Sequence, residues 1–211
     1  MYIPNVFVEH DEAEIRALVE AHAFGTFLAP RAEGQIEISH VPFLLSADGK
    51  TLRTHVGRAN PIWRVAISPQ RPADLVVVFH GPHGYVSPTW YEKPRVQVPT
   101  WNYAVVHAHV SAPEVMSEHE LRALLGDLTK TYEKPGGWSL EELEPEAADR
   151  MLKEIVGLTL PVVRWEAKLK LSQNRSAHDH ASVRDAFKTR GTPDDREMAA
   201  LMNNRRPADT K

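Results

Sequence analysis

The stretch LRTHVGRANPIW, Leu52 to Trp63, holds the densest set of groups able to bind an anion. A strand would carry Arg53, Thr54 and His55 to its end. A glycine turn would then set Arg58 beside a helix start, with Asn60 as the cap and Pro61 at the first helical position. The first amides of a helix lack intrahelical acceptors and carry partial positive charge, which suits a phosphate. Arg53 and Arg58 could add charge-assisted bonds to the same oxygens. The competing reading is a surface hairpin with solvated arginines.

Three other stretches carry chemistry-bearing residues. HGPHG, His80 to Gly84, brackets Gly-Pro with two histidines, but no carboxylate or third histidine stands near in sequence, so a turn is expected there and no metal site. One exposed histidine would suffice as a haem ligand, yet nothing else in the chain asks for haem. YVSPTWY, Tyr85 to Tyr91, and VPTWNY, Val98 to Tyr103, set flat rings beside hydroxyls and an amide. Thr100, Trp101 and Asn102 could serve a planar heteroaromatic ligand, and the same residues could serve a core or a subunit interface. KLKLSQNR, Lys168 to Arg175, ends in Ser172, Gln173 and Asn174, which can read a ring edge or satisfy loop backbone. No Gly-x-Ser-x-Gly, dinucleotide or Walker pattern occurs.

These groups need strands and caps to hold them. Asp11 and Glu14 open a helix striped by Ile15, Leu18 and Val19. Phe24 to Ala29 and Gln35 to Leu45 predict strands, and Asp48-Gly49 predicts a hairpin turn into Thr51 to Val56. Leu75 to His80 is a buried strand, Gly81 to Gly84 a turn, and Trp101 to Ser111 a long strand. Ser117 with Glu120 opens a helix bearing Leu121, Leu124, Leu125 and Leu128; Ser139 with Glu142 forms a second capping pair. Pro145 restarts a helix that Gly157 ends. Leu160 to Ser172 alternates as a strand, with Val163, Trp165, Ala167, Leu169 and Leu171 on one face. Short helices follow around Val183–Phe187 and Arg196–Met202, and the last residues, NNRRPADTK, should fray. Hairpin-connected strands with helices inserted between them predict an α+β fold or a β-barrel with helical insertions.

The 211 residues are 42% hydrophobic and 25% charged, ordinary for a globular chain. No apolar run is long enough to span a bilayer, and no secretory signal is visible at the N-terminus. With no cysteine there is no disulfide, thiolate site or cysteine nucleophile. Together these predict a cytoplasmic protein. The net charge of −3 argues against direct DNA binding unless Arg175, Arg184, Arg190, Arg205 and Arg206 cluster.

SHVPF (Ser39 to Phe43), HVGRANPIW, FHGPHGYVSPTWY, VPTWNYAVVHAHV, Trp138, IVG (Ile155 to Gly157) and KLKLSQNR occur in that order, after an initial MYIP. This series resembles the PaiB family of FMN-binding negative transcriptional regulators, and the likeness covers most of the chain. It implies a split β-barrel FMN-binding fold with peripheral helices, akin to pyridoxamine-phosphate-oxidase-like proteins. The barrel domain would span 1–175, with a helical insertion at about 117–157 and a C-terminal helical extension over 176–211. The resemblance further implies a homodimer with FMN at its interface. The phosphate would lie near Thr54, His55, Arg58 and Asn60, and the ring near Ser39 and His40. VPTWNY would then wall the pocket, with Thr100 or Asn102 facing the ligand, and Gln173 joins the candidate contacts. The family label attaches such proteins to repression of genes for degradative enzymes and sporulation, directly or through a DNA or protein partner. A small flavin-dependent oxidoreductase and a dimeric module for a non-flavin ligand are the competing functions.

Overall fold

The computed structural model describes residues 1–71 and 73–205. In chain order its strands and α-helices are β1 (Val8–Glu9), α1 (Glu12–Ala21), β2 (Phe24–Pro30), β3 (Ile36–Pro42), β4 (Leu44–Leu45), β5 (Thr51–Gly57), α2 (Ile62–Ile67), β6 (Leu75–Val86), β7 (Thr100–Val110), β8 (Glu114–Val115), α3 (Glu118–Tyr132), α4 (Pro145–Lys153), β9 (Ile155–Lys170), α5 (Ala177–Arg190) and α6 (Pro193–Asn203). Hydrogen bonds order the strands β3-β2-β6-β7-β9-β5-β4, with β1 and β8 each also paired to β9. This is the α+β class expected.

The chain forms two compact units that interleave in sequence. One comprises Val19–Phe79 and His107–Trp165, the other Met1–Leu18, His80–Val106 and the chain from Glu166 onward. The chain beyond Glu166 groups with two earlier segments.

In the unit containing Val19–Phe79, β2 and β3 form a hairpin running from Phe24↔Pro42 to Pro30↔Ile36. β5 pairs antiparallel with β9 from Thr51↔Pro161 to Gly57↔Ile155. Alternation along β5 buries Leu52, Thr54 and Val56 on one face. Phe43 packs edge-on against Phe27 and Phe79, at centroid distances of 6.3 and 5.6 Å. The helical excursion begins at a capping box: the Glu120 amide donates to Ser117 Oγ, and the Ser117 amide donates to Glu120 Oε2. Leu121, Leu124 and Leu128 of α3 bury against Leu152 of α4. α4 ends at Lys153, not at Gly157, which already lies within β9.

In the other unit, β1 pairs with the end of β9, Val8 opposite Lys168. The helices after β9 are longer than the sequence suggested, because each has a strong cap. Ser176 Oγ accepts the Asp179 amide, and Thr192 and Asp195 form a capping box. Gly191, with φ of 70°, closes α5 in the left-handed region.

The turn expected at Gly81–Gly84 is absent: these residues continue β6 without a break. The glycines serve close packing instead. A Cβ on Gly81 would stand 3.0 Å from Ala104 Cβ, and one on Gly84 would stand 2.4 Å from Phe187 Cε1. Val163 also departs from expectation, lying exposed on β9 although its alternation partners Ala167, Leu169 and Leu171 are buried.

Candidate flavin-binding site

The pleat of β5 separates the residues expected to converge on a phosphate. Thr54 points inward, and its hydroxyl donates to the Pro42 carbonyl at 2.7 Å. Arg53 and His55 point to the opposite face, toward the helical excursion. There Arg53 Nη2 pairs with Asp127 Oδ2 of α3 at 2.9 Å, and His55 lies against α3 and α4. Burial lowers the His55 pKa, so the imidazole is neutral near pH 7.

Arg58 is engaged with backbone. Its Nε and Nη2 donate to the carbonyls of Lys153 and Ile155 at 2.5 and 2.9 Å, and its amide donates to the Glu154 carbonyl. The guanidinium thus closes the orphan end of α4, where cations are favoured. Asn60 does cap the next helix: its Oδ1 accepts the Ile62 amide at 3.0 Å. That helix, α2, has only six residues. Asn60 Nδ2 donates to Ser39 Oγ at 2.8 Å, so these two candidates from distant parts of the sequence do meet. Ser39 is buried, whereas His40 is exposed on the other side of β3, with Nδ1 3.1 Å from Thr26 Oγ1.

The remaining candidates belong to the other unit. Asn102 is fully buried. Its Nδ2 donates to Ser172 Oγ, and that hydroxyl is placed to donate to Asn102 Oδ1. This exchange accompanies a left-handed backbone at Ser172, φ 63°, uncommon for a residue with a side chain. Gln173 is internal as well: its Oε1 accepts the Leu171 amide, and its Nε2 donates to the Leu169 carbonyl. Lys170 Nζ donates to Thr100 Oγ1 and to the Trp101 carbonyl. Burial first, then the charges of Arg175 and Lys168, lowers the Lys170 pKa. Trp101 itself is 51% exposed. Its ring lies 6.0 Å from Tyr85 and 6.2 Å from His83.

His83, Tyr85 and Lys170 lie in the marked stretches HGPHG, YVSPTWY and KLKLSQNR but were not among the expected cofactor contacts. The signal was available in period two: His83 and Tyr85 alternate with buried Gly84 and Val86, which a strand assignment for HGPHGYV would have shown. The structure therefore offers two ligand-compatible surfaces, each within its own unit. One is the Ser39–Asn60 junction with His40 beside it. The other is the exposed aromatic face of Trp101, Tyr85 and His83. Hydroxyl, amide and imidazole groups fit the polar edge of a flavin, and an open indole fits its flat ring. Arg53 and Arg58 both have internal partners, Asp127 for the first and the Lys153 and Ile155 carbonyls for the second.

Residues 1–164 match the family described as "Putative FMN-binding domain". The chain belongs to this FMN-binding family. FMN is accordingly its cofactor. Over 211 residues the chain is 34% identical to "Protease synthase and sporulation protein PAI 2" of Bacillus subtilis (strain 168), covering 97% of this chain and 98% of the relative. Two solved structures share the fold at low identity. The flavocytochrome Anf3 of Azotobacter vinelandii superposes with a TM-score of 0.59 at 14% identity, covering 77% of this chain and 69% of its own. The FAD and heme binding protein of Mycobacterium smegmatis gives 0.57 at 17%, covering 83% and 78%. The fold is the split-barrel flavin-binding type that the sequence resemblance implied.

Proposed function

We propose that this chain is a PaiB-type, flavin-linked regulator that acts as a homodimer in the cytoplasm and changes gene expression without a DNA-reading helix of its own. The observation that carries this reading is the kinship with PAI 2 of Bacillus subtilis along nearly the whole of both chains. The bound flavin supplies a redox-active ring. Ser39, His40 and Asn60 are the residues proposed to hold its polar part. The exposed Trp101 face is proposed as a ring-stacking or subunit-contact surface.

The indirect mode follows from the charges. Arg184 and Lys188 of α5 both pair with Asp185, and Arg190 pairs with Asp195. α3 starts with Glu118 and Glu120. Neither helix presents the row of uncommitted cations that phosphate backbone requires. Arg206, the fifth arginine of the suggested cluster, lies outside the described residues. A dimer is supported by Phe24, Ile36 and Ile38, each more than half exposed on the hairpin that includes the outer strand β3.

The test joins three measurements. FMN titration should produce saturable flavin fluorescence quenching, and Asn60→Ala should weaken it. Light scattering should give a dimer that Ile38→Lys converts to a monomer. Deleting the gene should alter transcripts of degradative-enzyme genes, while the pure protein leaves promoter DNA unshifted at low salt. Unaltered transcripts would overturn the regulatory reading, and a salt-sensitive shift would overturn its indirect form.

The shared fold with a flavocytochrome and with a FAD and heme binding protein favours a second reading, a small flavin oxidoreductase. NADH or NADPH should then bleach the visible band of the bound flavin. A band unchanged by both excludes nicotinamide-dependent reduction.

A further inference from the structure

The helical excursion encloses a pocket of about 260 Å³ inside the unit that contains Val19–Phe79. Its walls are mainly carbon, including Leu125, Leu128, Leu143 and Leu152. Trp138 and Met151, 43% and 58% exposed, also line it and connect it to solvent. Thr129 directs its hydroxyl hydrogen to the Leu125 carbonyl, and so turns that donor away from the space. His55 remains the unusual member of the lining: its Nδ1 is buried and has no hydrogen-bond partner. That nitrogen is sealed from the space, but the ring as a whole is only partly buried, and it is the one titratable side chain among the residues lining the pocket.

Size and chemistry together restrict the occupant. The volume exceeds the roughly 150 Å³ apolar cavity that accepts benzene, and falls short of the ~300 Å³ at which drug-sized pockets begin. Carbon walls exclude a charged molecule, whose desolvation nothing here would offset. A neutral imidazole presents one donor and one acceptor, and a hydroxyl can answer either. The geometry points to a binding pocket for a small uncharged aromatic alcohol of the phenol class, its ring among Leu125, Leu128 and Trp138 and its hydroxyl on the imidazole of His55. Burial lowers the pKa of that imidazole and so favours its neutral form. The pocket is independent of the flavin reading. It uses the face of β5 opposite to Thr54, and its occupant would brace α3 and α4 on that strand.

The probe is 4-fluorophenol, followed by fluorine NMR on the full-length protein, with fluorobenzene as the partner lacking a hydroxyl. Wild type should bind 4-fluorophenol saturably and prefer it roughly fivefold or more, the worth of one hydrogen bond. His55→Phe should erase that preference. Leu143→Trp and Ala148→Leu, which fill the space, should abolish binding while keeping the wild-type melting transition. Adding saturating FMN should leave the titration unchanged. Absence of saturable binding to wild type, full binding to a folded filled variant, or displacement by FMN would each overturn the proposal. Should both filled variants unfold, the preference measured on His55→Phe decides: a retained preference overturns it.

Discussion

Gly84 has no room for a methyl group. A Cβ there meets Phe187, whose own ring stacks edge-on against Trp90 at 5.4 Å. Gly84→Ala should destabilise the protein by about 1–3 kcal/mol, read from the urea midpoint. Asp195 is the most strongly perturbed carboxylate: the Arg190 guanidinium, the Thr192 hydroxyl and the Thr192 amide hold its pKa at about 2, against 3.8 ordinarily. Its contribution is complete above pH 3.8 and fades as pH falls toward 2, because the unfolded chain takes up the proton first. Asp195→Asn should lower stability at neutral pH by about 1–2 kcal/mol and flatten the acid limb over that window. Arg58→Ala should lower the melting temperature, since the guanidinium holds the Lys153 and Ile155 carbonyls; the expected loss is about 1 kcal/mol. A variant that melted normally yet lost FMN would instead place Arg58 on the cofactor. The anion-binding pattern at Leu52–Trp63 was legible as residue types. The destinations of its side chains were not, because the acceptors of Arg53 and Arg58 lie 74 to 97 positions further along the chain.

Caps were the most readable features of the elements. The Ser117–Glu120 pair is local, so its hydrogen bonds follow from spacing alone, and Ser117→Ala should lower stability by about 1 kcal/mol in thermal unfolding. Strand β6 shows the opposite case. Two glycines and a proline at Gly81–Gly84 signal a turn locally, but Ala104 and Phe187, both remote in sequence, demand small residues at a crowded strand. Tertiary packing overrode the local signal, as it did where Gly157 lies in β9 and not at a helix end. The internal partner of Asn102 was hidden for the same reason: Ser172 is 70 residues away. α5 and α6 were underestimated because their apolar positions are sparse, although Ser176 and Thr192 mark their starts.

Across the whole molecule, acidification should act through histidine before any carboxylate. Burial lowers the pKa of His55, and burial together with Arg184 lowers that of His180, both from 6.5. Protons then bind the unfolded chain first, so stability should decline as pH falls below about 6.5. Replacing both histidines with Phe should reduce that slope in urea titrations collected between pH 7 and 5. The α+β class and the run of most strands could be read from alternation and turns. The interleaving of the two units could not, since it depends on which distant segments pack together. The helical excursion carries a consequence for descent. Glu114 and Val115 pair with Thr159 and Leu158, and the Met116 amide donates to the Gly157 carbonyl, so the excursion leaves and rejoins the sheet at one doorway. Such a stem is a graft point: a change of length or sequence beyond it can be absorbed there without shifting the strand register beneath.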